Sequence, residues 1–138
     1  MIRRALCLLF GLILVFLPLA PLAHADGSDN EPACWDGLDE VNALRASRGL
    51  APFIYDPDLA RAAGDCARWR ADYLCQGHTS NDFAALPEGS FASAAGCAAW
   101  PPELGWGGCC SFENWTYAGA AWVMGRDGRR YMHLFVRN

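Results

Sequence analysis

Ala118-Gly119-Ala120-Ala121-Trp122-Val123-Met124, then Gly125-Arg126-Asp127-Gly128, then Arg129-Arg130-Tyr131-Met132-His133-Leu134-Phe135-Val136: this run near the C-terminus decides the fold. Two strand-like stretches flank an Asp-Gly turn signal, the pattern of a β-hairpin. In the second strand Tyr131, His133 and Phe135 share one face, and Met132, Leu134 and Val136 share the other. Both faces are largely apolar, so the spacing predicts a strand covered on both sides by other layers. Arg126, Arg129 and Arg130 flank the turn and read as a solvated hairpin tip.

Working outward, the segments before the hairpin read as helices. Asp56-Pro57-Asp58 supplies a capping residue, a proline at the first helical position and a second acid. Leu59, Ala63, Cys66, Arg70 and Tyr73 continue one stripe, with Ala62, Trp69 and Leu74 beside it, and Gly77 is the expected stop. An earlier helix is predicted over Leu38 to Ser47, where Leu38, Val41 and Leu44 recur, Asp36 caps the start and Gly49 ends it. The connector Leu50 to Tyr55 carries apolar residues expected to pack beneath the helices. Residues His78 to Trp106 read as a long loop-rich stretch with a short helix near Phe91 to Ala99. A stretch of that length without regular structure is usually functional or tied down by bridges. No repeat is present. Helices first and a hairpin last give an α+β class, arranged as an α-β-α sandwich.

The N-terminal 25 residues read as an export signal. Arg3 and Arg4 precede an apolar run from Ala5 to Leu17, Pro18 and Pro21 break it, and Ala23-His24-Ala25 forms a cleavage site. The longer stretch from Ala5 to Ala23 would also be long enough for an uncleaved anchor, the alternative that the prolines and the Ala-x-Ala site argue against. Cleavage takes 25 of 138 residues and leaves 113, one domain's worth, with no membrane span expected in the mature chain. Residues 26–37 read as a polar lead segment and 38–138 as the domain. Loss of Arg3 and Arg4 takes the formal charge from −4 to −6, and the chain has no lysine. Scattered arginines on an acidic chain exclude a nucleic-acid stripe. Cys34, Cys66, Cys75, Cys97, Cys109 and Cys110 remain after cleavage. An even number in a small exported domain reads as up to three disulfides, whose connectivity the sequence leaves open. Were Cys66 and Cys75 on one helix, they would lie on opposite faces roughly 13 Å apart, too far to bridge each other. Zinc is the competing use of cysteine, but no Cys-x-x-Cys spacing appears.

Leu38-Asp39-Glu40-Val41-Asn42-Ala43-Leu44-Arg45 with Arg48-Gly49-Leu50 resembles the first helix of the CAP superfamily of cysteine-rich secretory, antigen 5 and pathogenesis-related proteins. Asp56-Pro57-Asp58-Leu59-Ala60 resembles its second helix start, and His78-Thr79-Ser80 its first histidine. Phe112-Glu113-Asn114-Trp115 is similar to its Gly-Glu-Asn motif with Phe112 in place of the glycine, and Gly128 to Val136 is similar to its last strand. The resemblance spans about Leu38 to Val136 and suggests a short, bacterial-type member. It implies a cleft with two histidines and two acids able to hold a divalent metal. His78 matches the first histidine and Glu113 the first acid. Only Trp115 to Tyr117 separate Asn114 from the hairpin, so the second pair has no counterpart and one helix of the usual sandwich is expected to be missing.

The residues themselves leave several readings open. His78, Glu113 and His133 have the donor types of a metal site, and His78 with Glu113 has those of an acid–base pair. The plainer expectations are that His78 hydrogen-bonds Glu113 and pins the loop, and that His133 is a satisfied core or cleft histidine. Glu113 and Asn114 are expected to be buried and paired, although Asn114-Trp115-Thr116 matches a glycosylation sequon. Ser80 and Ser111 lack any nucleophile-elbow motif. Trp100 and Trp106 flank Pro101-Pro102, where they would cover the core or offer flat faces to a sugar or lipid. The reading that results is a secreted, periplasmic or envelope-associated binding module for a lipid, glycan, cation or envelope protein, with His78, Glu113, Asn114, Trp100 and Trp106 as binding residues. A secreted hydrolase using His78 and Glu113, and a purely structural envelope module, are the alternatives.

Overall fold

The computed structural model describes residues 34–108 and 110–138, within one unit spanning Glu31–Asn138. The expected signal segment, the lead segment up to residue 33 and Cys109 lie outside the described residues. The chain runs β1 (Cys34–Asp36), α1 (Leu38–Ala46), β2 (Ile54–Tyr55), α2 (Pro57–Tyr73), a 3-10 turn (Asp82–Ala85), β3 (Ala94–Trp100), a second 3-10 turn (Pro102–Leu104), β4 (Tyr117–Met124) and β5 (Arg130–Arg137). Strand order is β1-β4-β5-β3, all antiparallel, and β2 adds a short parallel pairing to β4 through Ile54↔Tyr117 and Tyr55↔Ala118.

The hairpin forms where the Asp-Gly signal put it, with Gly128 at φ +77° and Tyr131 donating its hydroxyl to Asp127 at 2.9 Å. β5 is an inner strand between β4 and β3 and is buried from Arg130 to Val136. Its two faces feed separate cores. Leu134 and Val136 pack with Leu38, Val41 and Phe53 on the α1 side, whereas Tyr131 and Phe135 pack with Leu59, Ala63 and Ala67 of α2. Helix, sheet and helix thus form the expected layers, with two α-helices among the described residues.

The helices begin as their caps dictate. Asp56 Oδ1 accepts from the Asp58 and Leu59 amides at 3.0 and 3.2 Å, with Pro57 at the first helical position. Asp36 Oδ1 accepts from the Leu38 amide at 2.9 Å, although Gly37 is the capping residue of α1. α2 stops earlier than Gly77 implies, because Leu74 turns into the left-handed region at φ 52°. Cys75 therefore lies beyond the helix that carries Cys66.

Three expectations need correction. Phe91 to Ala99 is no helix: its Ala-Gly-Cys-Ala composition is needed by strand β3, which pairs along the full length of β5. Arg130 is not part of a solvated tip. It is buried, donates twice to Glu40 at 2.8 and 2.9 Å, and stacks 4.1 Å above Trp122. In the connector only Phe53 packs inward, while Ile54 and Tyr55 are exposed. No disulfide joins any two described cysteines. No helix among the described residues is long and apolar enough to cross a membrane.

Gly119 sets the closeness of α2 to the sheet. A Cβ there would lie 1.9 Å from the Ala60 nitrogen and 2.2 Å from the Leu59 carbonyl carbon, so backbone itself occupies the space. Gly119→Ala is expected to destabilise the domain by about 3 kcal/mol or more, since neither backbone can retreat without opening the core. Gly77→Ala, with nothing within 4 Å, is expected to change the denaturant midpoint little. Equal unfolding curves for the two variants would refute this account.

Candidate functional site

α2 presents Cys66 and Arg70 inward among small neighbours, Ala62, Ala63 and Ala67. Arg70 is fully buried and donates to the Met132 carbonyl at 2.6 Å and to the Gln76 carbonyl at 2.8 Å. The second bond pins the loop that follows the helix, so the next residues fold back across the sheet. There Asp82, at the start of the first 3-10 turn, points its carboxylate inward and is buried. Its Oδ1 accepts from the Thr79 hydroxyl at 2.6 Å and from the Thr79 amide at 3.2 Å, and its Oδ2 pairs with His78 Nδ1 at 2.7 Å. The Cys66 thiol donates to the Asp82 carbonyl at 3.5 Å.

β5 brings His133 to the same place from below. Its ring stands edge-on to His78, centroids 6.1 Å apart, and lies 4.7 Å from the Phe135 ring. His133 has 0% exposure, and neither ring nitrogen finds a hydrogen-bond partner among the described residues. Leaving a buried polar group unpaired typically costs about 1–3 kcal/mol. Above the cluster opens a cleft of about 540 Å³ whose walls include Asp65, Cys66, Trp69, Thr79, Asn81 and Asp82.

The electrostatics follow from burial and hydrogen bonding. Burial alone would raise the Asp82 carboxyl, but hydrogen bonds from Thr79 and His78 and the nearby His133 hold it below the usual carboxylate range. Burial pushes the Cys66 thiol up to about 12, with Asp82, Asp65 and neighbouring Cys97 adding to it and Arg70 opposing. Burial drives His133 down to about 3; Asp82 favours its charged form, while Arg70 and His78 disfavour it. At neutral pH the cluster therefore holds a carboxylate, a neutral imidazole and a thiol. An ionised Asp82 orients the His78 ring by accepting its Nδ1 proton, which leaves Nε2 as the nitrogen able to take a proton or a ligand.

His78 and His133 thus converge, and Glu113 does not join them. His78 takes Asp82 rather than Glu113 as its carboxylate partner. Glu113 and Asn114 are exposed, against the expectation of burial. The Glu113 carboxylate accepts from Trp115 Nε1 at 2.9 Å, and its carbonyl accepts from Arg45 of α1 at 3.0 Å. Trp115 packs into the α1-side core, so Glu113 belongs to the opposite face of the sheet from His78. Trp100 donates Nε1 to the Gly105 carbonyl at 2.8 Å and covers Gly107, while Trp106 lies over Gly37 and the α1-side core. Ser111 is buried with its hydroxyl on the Gly107 carbonyl, while Ser80 lines the cleft. Asp82 and Trp69 are the residues that sequence reasoning missed as site members. The one local signal for Asp82 was its spacing, four residues after His78 and three after Thr79.

The profile of the family described as CAP, cysteine-rich secretory protein family, matches residues 38–127. The chain belongs to the CAP family. Neither the comparison with curated proteins nor that with solved structures returned a match. The matched span of this CAP domain starts at α1 and ends in the β4–β5 turn. It includes Cys66, His78 and Asp82 and stops short of His133. The metal-binding pair that the resemblance implied, His78 with Glu113, does not fit the geometry, because the two lie on opposite faces of the sheet.

Buried neutral His133 makes the metal-free CAP domain acid-sensitive. Unfolded, the imidazole binds a proton below pH 6.5; folded, it stays neutral down to about 3. Its contribution is fully present above pH 6.5 and is lost as pH falls towards 3, by up to about 5 kcal/mol. Urea unfolding from pH 7 to pH 4 is expected to show this loss in the wild type and a shallower slope in His133→Gln. Parallel pH profiles would refute it.

Proposed function

We propose that this CAP domain is an exported binding module whose ligand site is the cleft under α2. The observation that carries the reading is the lining of that cleft: an exposed indole, Trp69, beside the polar side chains of Asp65, Asn81 and Asp82. Tyr73 flanks Trp69 at 4.8 Å between ring centroids, which stiffens the aromatic wall. A flat ring with carboxylate and amide acceptors around it suits a polyhydroxy ligand, which stacks its C–H face and donates its hydroxyls. A glycan, such as an oligosaccharide of an extracellular or cell-envelope polymer, fits this chemistry better than a lipid, because the carboxylates would be stripped of water by an acyl chain. Export is part of the proposal and rests on the signal-like segment 1–25. Cysteine pairing in the exported chain belongs to it too, among the cysteines other than Cys66.

A second reading, hydrolysis of the same polymer, is favoured by one observation, the His78–Asp82 pair at 2.7 Å. A carboxylate that fixes an imidazole beside a cleft is the arrangement of a general base. Asp82 takes the place that the resemblance assigned to Glu113.

Titration with soluble neutral oligosaccharides, followed by tryptophan fluorescence and calorimetry, tests the first reading. Saturable binding is expected, with Trp69→Ala weakening it at least ~10-fold and Trp35→Ala, at a distant exposed indole, leaving it unchanged. Undiminished binding by Trp69→Ala, or none by the wild type, would remove the proposal. Turnover of those sugars lost in a folded His78→Ala would shift the assignment to the hydrolase.

A further inference from the structure

We propose that Cys66, Asp82 and His133 form a binding site for a soft divalent cation of the zinc type, with a fourth position open to the cleft. The three side chains arrive on separate elements, α2, the 3-10 turn and β5. All three are buried, and their candidate ligand atoms lie within 4.8 Å of one another. Tetrahedral zinc with bonds of ~2.0–2.3 Å keeps its donors roughly 3.3–3.8 Å apart, so the cluster needs to contract by about 1 Å. Thiolate, imidazole and carboxylate together select zinc over magnesium or calcium, which prefer oxygen donors throughout. As the ion enters, the Cys66 thiol proton leaves to solvent and the sulfur lone pair forms the bond.

His133 supplies the independent observation. A fully buried imidazole always carries one N–H and one lone pair, yet neither ring nitrogen meets a partner among the described residues. A cation held between Cys66, Asp82 and His133 gives the lone pair its bond. The surroundings of Asp82 also suit a ligand. Thr79 and His78 fix its carboxylate by three contacts of 2.6–3.2 Å, the kind of outer support that orients a metal-binding group. Cys66 and Asp82 line the cleft, so an open coordination position faces solvent. This donor set is not the histidine–glutamate pattern that the resemblance implied. Glu113 stands on the opposite face of the sheet, and His133 lies beyond the span that the family profile matches. The site does not depend on glycan binding, which is carried by Trp69.

The test uses full-length exported protein, reduced, stripped of metal and titrated with Co²⁺. Wild type is expected to take up one equivalent with a thiolate-to-cobalt charge-transfer band and tetrahedral d–d bands, which Zn²⁺ then bleaches. Cys66→Ser is expected to lose the charge-transfer band, and His133→Gln to weaken Co²⁺ uptake at least ~10-fold. Glu113→Gln is expected to bind as the wild type does. Zinc is expected to raise the thermal midpoint of the wild type but not of Cys66→Ser, a readout that holds even where a variant binds weakly. Several results would overturn the site: no charge-transfer band in reduced wild type, a band that survives Cys66→Ser, loss of binding in Glu113→Gln, or a Cys66–Cys97 disulfide in freshly exported protein.

Discussion

Everything else in the structure depends on how closely α2 lies against β4. That approach is possible only because small residues meet across the interface: Ala62, Ala63, Ala67 and Ala71 on the helix, Gly119 and Ala121 on the strand. A larger residue in any of these places would lift the helix and with it Cys66 and Arg70. The close seat lets Arg70 reach the Met132 carbonyl, one residue before His133. The buried guanidinium then adds its charge to the effect of burial and keeps the imidazole neutral. Packing of alanines and glycine thus determines the protonation state of a histidine on a different strand. The same helix carries Trp69 on its exposed side, so one rigid element positions the cleft's aromatic wall and the Cys66 thiol.

Buried arginines hold the irregular segments. Arg45 donates to the carbonyls of Ala51, Ser111 and Glu113 at 2.7, 2.7 and 3.0 Å, tying the connector and the 101–116 stretch to α1. Arg70 ties the loop after α2, and Arg137 pairs with the Asp56 cap at the start of α2. Each is a planar group with several fixed donors, which lysine cannot imitate. A chain without lysine and with loops this long therefore finds much of its loop-holding capacity in guanidinium–carbonyl bonds. Phe53 lies under Arg45 at 3.6 Å, and Phe112 under the exposed Arg48 at 3.8 Å, so guanidinium stacking on aromatic rings adds to the hold.

The fold was largely legible because its signals are local. The Asp56-Pro57 start, the Asp-Gly turn and the two-sided apolar pattern of β5 each act within a few residues, and each element formed there. β3 was misread because alanine and glycine carry no period, and its strand identity comes from pairing with β5 some forty residues away. The site was half legible. His78 and His133 stood out as the histidines beyond the first 25 residues, and they converge. Asp82 showed locally only its spacing from His78 and Thr79, and its place in the cluster appears only when β5 brings His133 beneath it. Glu113 looked like its partner through a motif match, but Arg45 and Trp115 hold that stretch to the α1 layer.

The charge balance of the cluster narrows what can enter it. Asp82 is ionised beside a neutral His133, and Asp65 adds a carboxylate at the cleft wall. Arg70 is fully buried and does not line the cleft, donating instead to the Met132 and Gln76 carbonyls. An anionic ligand would meet the ionised Asp82 in a partly desolvated place, where like charges repel strongly, while the Asp65 carboxylate at the wall is shared with Arg68 at 3.4 Å. A neutral sugar meets no such barrier, and a cation meets an attraction. The chain's acidic balance, net −4, acts in the same direction over longer range. One cleft can therefore favour a neutral polyhydroxy ligand at its rim and a cation at its floor, since both are chosen by the same ionised carboxylate.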